Sequence, residues 1–161
     1  MTIGFILNGE DVVINTNAEN RLVDILRNTF GLLRVKAGCR IGNCGSCLVI
    51  HNGEVIKSCL IPAFQVRGSE IITIEGFSQT NEYQDIILGF REEGVDNCSS
   101  CNTGKILATE ALLSKNPKPS PEEILAAFNG IKCRCTEPET LVRGINCVAE
   151  HRRKRIYGRS I

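Results

Sequence analysis

The chain has little that marks a reaction centre of its own. Only two of its 161 residues are histidines, and neither sits in a cysteine–histidine nucleophile arrangement. Paired carboxylates of a general acid–base kind and a phosphate-cradling glycine loop are also missing. Charge of one sign is lacking: 19 Lys and Arg against 18 Asp and Glu leave +1, which argues against nucleic acid or an anionic membrane as a partner. No apolar run approaches the roughly 20 residues of a membrane span. The opening MTIGFILNGEDVV has neither the basic start nor the apolar core of a secretory signal. A reducing, cytoplasmic setting is therefore expected.

What the chain has is cysteine, nine in all. In an oxidising compartment that count would imply disulfides, but in a reducing one it implies metal. Cys39, Cys44 and Cys47 form a C-x4-C-x2-C run, and Cys59 follows after eleven intervening residues. That is the spacing of a plant-type 2Fe-2S loop. Each iron needs a tetrahedron of sulfur, two sulfides and two thiolates. A tight loop can supply three thiolates, and a distant cysteine supplies the fourth. Gly42 and Gly45 let the backbone bend and turn N–H groups toward an anionic centre.

The surrounding pattern is strand-rich. Residues 2–7 and 10–14 flank Asn8-Gly9, and residues 47–51 and 54–57 flank Asn52-Gly53, so two hairpins are expected. Thr16-x-x-Glu19 reads as a capping box for a helix with Leu22, Ile25, Leu26 and Phe30 on its apolar face and Gly31 as its stop. Residues 71–75 predict a closing strand. After residue 76 the periodicity becomes helical, over 82–93, 103–115, from Ser120-Pro121 to Gly130, and from Thr136 onward. The expected fold class is α+β: an N-terminal β-grasp ferredoxin domain over 1–76, then a four-helix-bundle domain over 77–161 ending in a basic tail. The stretch from His151 to Arg159 holds five of the 19 basic residues and no acid. A solvated tail is the plain reading, and docking on an acidic partner the sharper one. His51 reads as a surface residue and Cys147 as a buried structural thiol.

The helical half carries a second thiol set, Cys98-x2-Cys101 and Cys133-x-Cys135, separated by 31 residues. Spacing alone fits structural zinc or an iron–sulfur cluster. A ferredoxin loop on the same chain favours the cluster.

This order of motifs, with Lys36-Ala37-Gly38-Cys39, Cys44-Gly45-Ser46-Cys47, Ser58-Cys59-Leu60 and Cys133-Arg134-Cys135-Thr136, resembles the iron–sulfur subunit of the molybdenum hydroxylases over almost the whole chain. Xanthine dehydrogenase, aldehyde oxidoreductase, carbon monoxide dehydrogenase and nicotinate dehydrogenase belong to that family. The resemblance implies two [2Fe-2S] clusters, one on Cys39, Cys44, Cys47 and Cys59, the other on Cys98, Cys101, Cys133 and Cys135. The partners it implies are two, a large molybdopterin-binding subunit plus an FAD-binding subunit. Asn97 stands where the family has a pterin-bonding Gln, and Cys135 would lie nearest the pterin. Ser99, Asn102 and Thr103 replace the family's Gly, Thr and Pro around the third cysteine pair. Glu137-Pro138 replaces Gly-Tyr, and Arg40 stands where Gly is common.

The implied function is relay of electrons from the molybdopterin centre through the two clusters to a flavin subunit, within an oxidoreductase complex and without bond-making chemistry in this chain. A free-standing two-cluster ferredoxin serving another oxidoreductase, and a metal-bound structural module, are the alternatives.

Overall fold

The computed structural model describes residues 1–95, 102–131 and 135–158. It is a mixed α+β structure with a five-stranded sheet and six helices. The first hairpin is β1 (Thr2–Leu7) and β2 (Glu10–Asn15), paired antiparallel. Its turn residues Asn8 and Gly9 both have positive φ, 51° and 86°. That conformation matches the twist of the strands it joins. The second hairpin, β3 (Leu48–His51) and β4 (Glu54–Lys57), turns the same way at Asn52 and Gly53. The closing strand β5 (Glu70–Ile72) lies parallel to β1 and antiparallel to β3, giving the order β2-β1-β5-β3-β4.

Two expectations need correction here. Helix α1 (Leu22–Asn28) starts later than Thr16, and its N-cap Arg21 makes no side-chain cap bond. Thr16 is used locally instead, its Oγ1 accepting from Asn20 Nδ2 at 2.9 Å. Chain entry is fixed by a bridge from Arg21 to Pro62, which competes with an earlier helical turn. The strand expected over 71–75 ends at Ile72, because Ile74–Phe77 form a one-turn helix, α2. Asn8 pins that junction: its Oδ1 accepts from Thr73 N at 2.8 Å and its Nδ2 donates to Thr73 Oγ1 at 3.0 Å.

Two apolar cores meet at the sheet. One holds Ile3, Phe5, Leu7 and Ile71 of the sheet, Leu22, Val23, Ile25 and Leu26 of α1, and Val49 with Cys47 and Cys59. The other holds Leu48 and Ile50 together with the helical half. The pleat of β3 thus sends alternate side chains into different cores, so three consecutive residues are buried.

The helical half comprises α3 (Asn81–Glu93), α4 (Asn102–Lys115), α5 (Pro121–Ala127) and α6 (Pro138–Tyr157). Ser120 caps α5 with a complete capping box to Glu123 and proline at the first turn. Thr136 does not cap α6; Glu137 occupies that place with Pro138 behind it. The basic run is not a free tail. Residues 151–157 continue α6, and its guanidinium groups pair within the fold: Arg155 Nε with Asp85 Oδ2 at 2.9 Å and Arg152 Nη2 with Glu110 Oε2 at 2.7 Å. His51 is half-buried and bonded to Ser69 Oγ at 2.9 Å, so it too is part of the structure. Among the described residues no helix is long and apolar enough to cross a membrane.

α3 and α6 approach closely because glycine stands at both contact points. A Cβ on Gly89 would lie 2.6 Å from the Val148 backbone nitrogen, and one on Gly144 would collide with Val95 Cγ2. Gly89→Ala is expected to cost about 1–3 kcal/mol of stability despite alanine's better helix propensity, since backbone cannot yield. Gly144→Ala should cost less, because it meets a side chain. Apparent Tm values by circular dichroism at matched iron content check this order; a higher Tm for Gly89→Ala would contradict it.

Candidate metal centre

The loop between α1 and β3 is built to hold sulfur anions. Cys39 Sγ accepts backbone N–H groups from Ile41, Asn43 and Cys44 at 3.5, 3.1 and 3.2 Å. Those donors, Ile41 foremost, hold the Cys39 thiol down at about 6. Cys44 Sγ lies 3.4 Å from the Ser46 N–H and 3.0 Å from its hydroxyl. Cys47 and Cys59 are buried, and burial pushes the Cys47 thiol up to about 11. Ser58 ties these two together, its N–H and hydroxyl both donating to the Cys47 carbonyl, at 3.3 and 2.7 Å. The side chains interact in two pairs, Cys39 with Cys44 and Cys47 with Cys59.

This donor set fits a 2Fe-2S cluster. Two thiol pairs match two irons, the aimed N–H groups suit an anionic sulfur cage, and the burial that pushes the Cys47 thiol up favours a metal as its partner. The six described cysteines are all free thiols.

Three cations lock the loop, Arg40 from within it and Arg21 and Lys57 from outside. Arg40 has φ +61°, a left-handed conformation that favours glycine, which accounts for glycine being common there in the family resembled. Its guanidinium compensates by forking onto both carboxylate oxygens of Asp24 on α1, and that bond holds the Asp24 carboxyl below its usual range. Arg21 Nη1 donates to the Arg40 carbonyl, and Lys57 Nζ to the Gly42 carbonyl, both at 2.6 Å. Sequence reasoning missed Arg21, Asp24 and Lys57. The only local signal is that Arg21 and Asp24 stand one helical turn apart; Arg40 lies in the loop itself, and Lys57 reaches it from the end of β4.

Of the second set, Cys135 is described: it is exposed and lies just ahead of α6. Asn97, Cys98, Cys101 and Cys133 fall outside the described residues. Their neighbours are brought to the first loop. A Cβ on Gly45 would sit 2.9 Å from the Gly130 carbonyl oxygen, and one on Gly104 would sit 2.8 Å from that of Gly45. Lys105, almost fully buried, donates to Thr136 Oγ1 at 3.2 Å and so links the start of α4 to the segment before α6. Cys147 is half-buried and not in the core as expected. Its Sγ donates to Glu92 Oε2 at 3.2 Å, and burial with that carboxylate pushes its thiol up to about 11.

Gly45 combines a positive φ of 77° with that contact to backbone. Gly45→Ala is expected to lower iron content at least about two-fold, as strain and collision add. Gly53→Ala, at φ 84° with open space around it, should cost about 1 kcal/mol and keep full iron. Iron assay and visible absorbance of the two variants distinguish them; equal iron would contradict the assignment of Gly45.

Two domain families match this chain. A 2Fe-2S iron-sulfur cluster binding domain covers residues 5–71, and a [2Fe-2S] binding domain covers 73–146. The nicotinate dehydrogenase small FeS subunit of Eubacterium barkeri is 45% identical over 136 residues, covering 84% of this chain and 87% of that protein. The xanthine dehydrogenase iron-sulfur-binding subunit of Escherichia coli O157:H7 is 34% identical over 148 residues, 90% of this chain and 92% of that one. Among solved structures, quinoline 2-oxidoreductase from Pseudomonas putida 86 superposes with a TM-score of 0.82 at 36% identity, covering 95% of this chain and 96% of that chain. The chain carries two 2Fe-2S domains and belongs to the family of iron–sulfur subunits of the molybdenum hydroxylases, the xanthine dehydrogenase family.

Proposed function

We propose that this chain is the electron-relay subunit of a molybdenum hydroxylase complex, with a large molybdopterin-binding subunit on one side and an FAD-binding subunit on the other. The observation that carries the reading is the thiol cradle at Cys39, Cys44, Cys47 and Cys59, packed through Gly45 against the start of α4 and the segment leading to Cys135. When bound, the clusters would supply one-electron exchange, moving electrons from the molybdopterin centre toward the flavin.

The protein's own residues hold and tune. Cys39, Cys44, Cys47 and Cys59 would ligate one cluster and Cys98, Cys101, Cys133 and Cys135 the other. Backbone N–H groups on Cys39, with Lys57 and Arg40 nearby, stabilise added negative charge. Asn97 and Cys135 would face the pterin. The two structural units would divide near residue 76, a β-grasp unit before it and a helical bundle after it; the parallel β1–β5 pairing supports the first. A reduced, cytoplasmic compartment suits this reading, because cluster ligation needs the cysteines kept from pairing as disulfides.

The test is capture of the tagged chain from its own cells under anaerobic conditions, with iron, molybdenum and flavin counted on the captured material. Molybdenum and flavin each near one per chain are expected, and Cys135→Ser should lower iron from about four to about two per chain. Full iron with neither molybdenum nor flavin would overturn the reading in favour of a free-standing two-cluster ferredoxin.

A further inference from the structure

α3 and α6 carry a second group of metal-type donors, unrelated to the cluster cysteines. Cys147 and His151 stand four residues apart on α6, so their side chains leave the same face of the helix. Glu92, in the last turn of α3, reaches between them: its Oε2 lies 3.2 Å from Cys147 Sγ and its Oε1 lies 3.0 Å from His151 Nε2. One donor atom from each residue lies within 4.8 Å of the other two.

We propose that Glu92, Cys147 and His151 form a binding site for a zinc-class divalent cation that staples α3 to α6. The donor types decide the class. A thiolate, an imidazole and a carboxylate suit a borderline-soft ion, and hard cations such as magnesium or calcium take oxygen only. Donors around a tetrahedral zinc stand roughly 3.3–3.6 Å apart, so small side-chain rotations complete the set. The cation replaces the proton that Cys147 now shares with Glu92, and that proton leaves to solvent. Three protein donors leave one position open. The site lies at the surface, with the Glu92 side chain 55% exposed and that of His151 27%, so water can fill that position.

The scaffold is already in place before any ion binds. Gly89 and Gly144 let the two helices close on each other, and the Arg155–Asp85 bond fixes their register from the other end. Arg143, next to the site on α6, is engaged with Glu93 at 3.5 Å and does not compete for Glu92. No residue assigned to either iron–sulfur cluster takes part.

The experiment uses the protein with both clusters assembled. It is incubated anaerobically with one equivalent of zinc chloride and desalted, and iron and zinc are then counted. The wild type is expected to keep about one zinc per chain with iron unchanged, and to gain several degrees in apparent Tm. Cys147→Ser, His151→Ala and Glu92→Ala should each lose most of that zinc and the Tm gain, with iron at the wild-type level. Glu92 is exposed, so its replacement leaves the packed core intact and keeps the test decisive even where a change on α6 disturbs folding. Zinc retained equally by all the variants, or by none of the proteins including the wild type, would overturn the proposal.

Discussion

Leu48, Val49 and Ile50 are buried on alternate sides of one four-residue strand, and that alternation ties the two halves of the molecule together. A strand exposed on one face would let the ferredoxin-like half stand alone. Here β3 is apolar on both faces, so each core would lose its wall without the other. Val55 and Ile72 extend the same wall from β4 and β5 toward the helices, and Ile56 faces the first core. The sheet is therefore an internal partition, and the cysteine loop that enters β3 is held by both sides of it.

That placement sets the electrostatics of the loop. Cys39 and Cys44 lie at the outer side under backbone N–H donors, while Cys47 and Cys59 lie in the core. Cys39 and Cys47 thus reach the same ligating state by different means. Cys39 is stabilised as thiolate by backbone hydrogen bonds, and Cys47 depends on bound metal to offset the cost of burying negative charge. Lys57 and Arg40 add positive charge without touching sulfur. Each acts through carbonyl or carboxylate partners that also fix the loop's shape.

Much of this was legible from residues alone. Asn8-Gly9 and Asn52-Gly53 announced their turns because few residues tolerate consecutive positive φ, and Ser120-Pro121 announced α5 because its cap is local. Thr16 and Thr136 misled for the complementary reason: a capping pattern is only an option, and the Arg21–Pro62 bridge and the Glu137-Pro138 start overrode it. The basic run on α6 looked like a tail because its partners, Glu82, Asp85 and Glu110, lie on other helices. Cysteine spacing marked the first cluster loop directly. The cations around it, and the meeting of Glu92 with Cys147 and His151, depend on long-range packing that no local pattern encodes.

The central claim is that one chain, built around a shared sheet, holds two one-electron centres, with Gly104 and Gly130 of the second half packed on Gly45 of the first loop. EPR of the anaerobically purified protein, reduced stepwise with dithionite and with iron counted on the same sample, tests it most directly. Two distinct S = 1/2 signals of about one spin each, about four irons per chain, and broadening of each signal as the other centre fills are the predicted result. A single signal with about two irons per chain, unbroadened at full reduction, would contradict it.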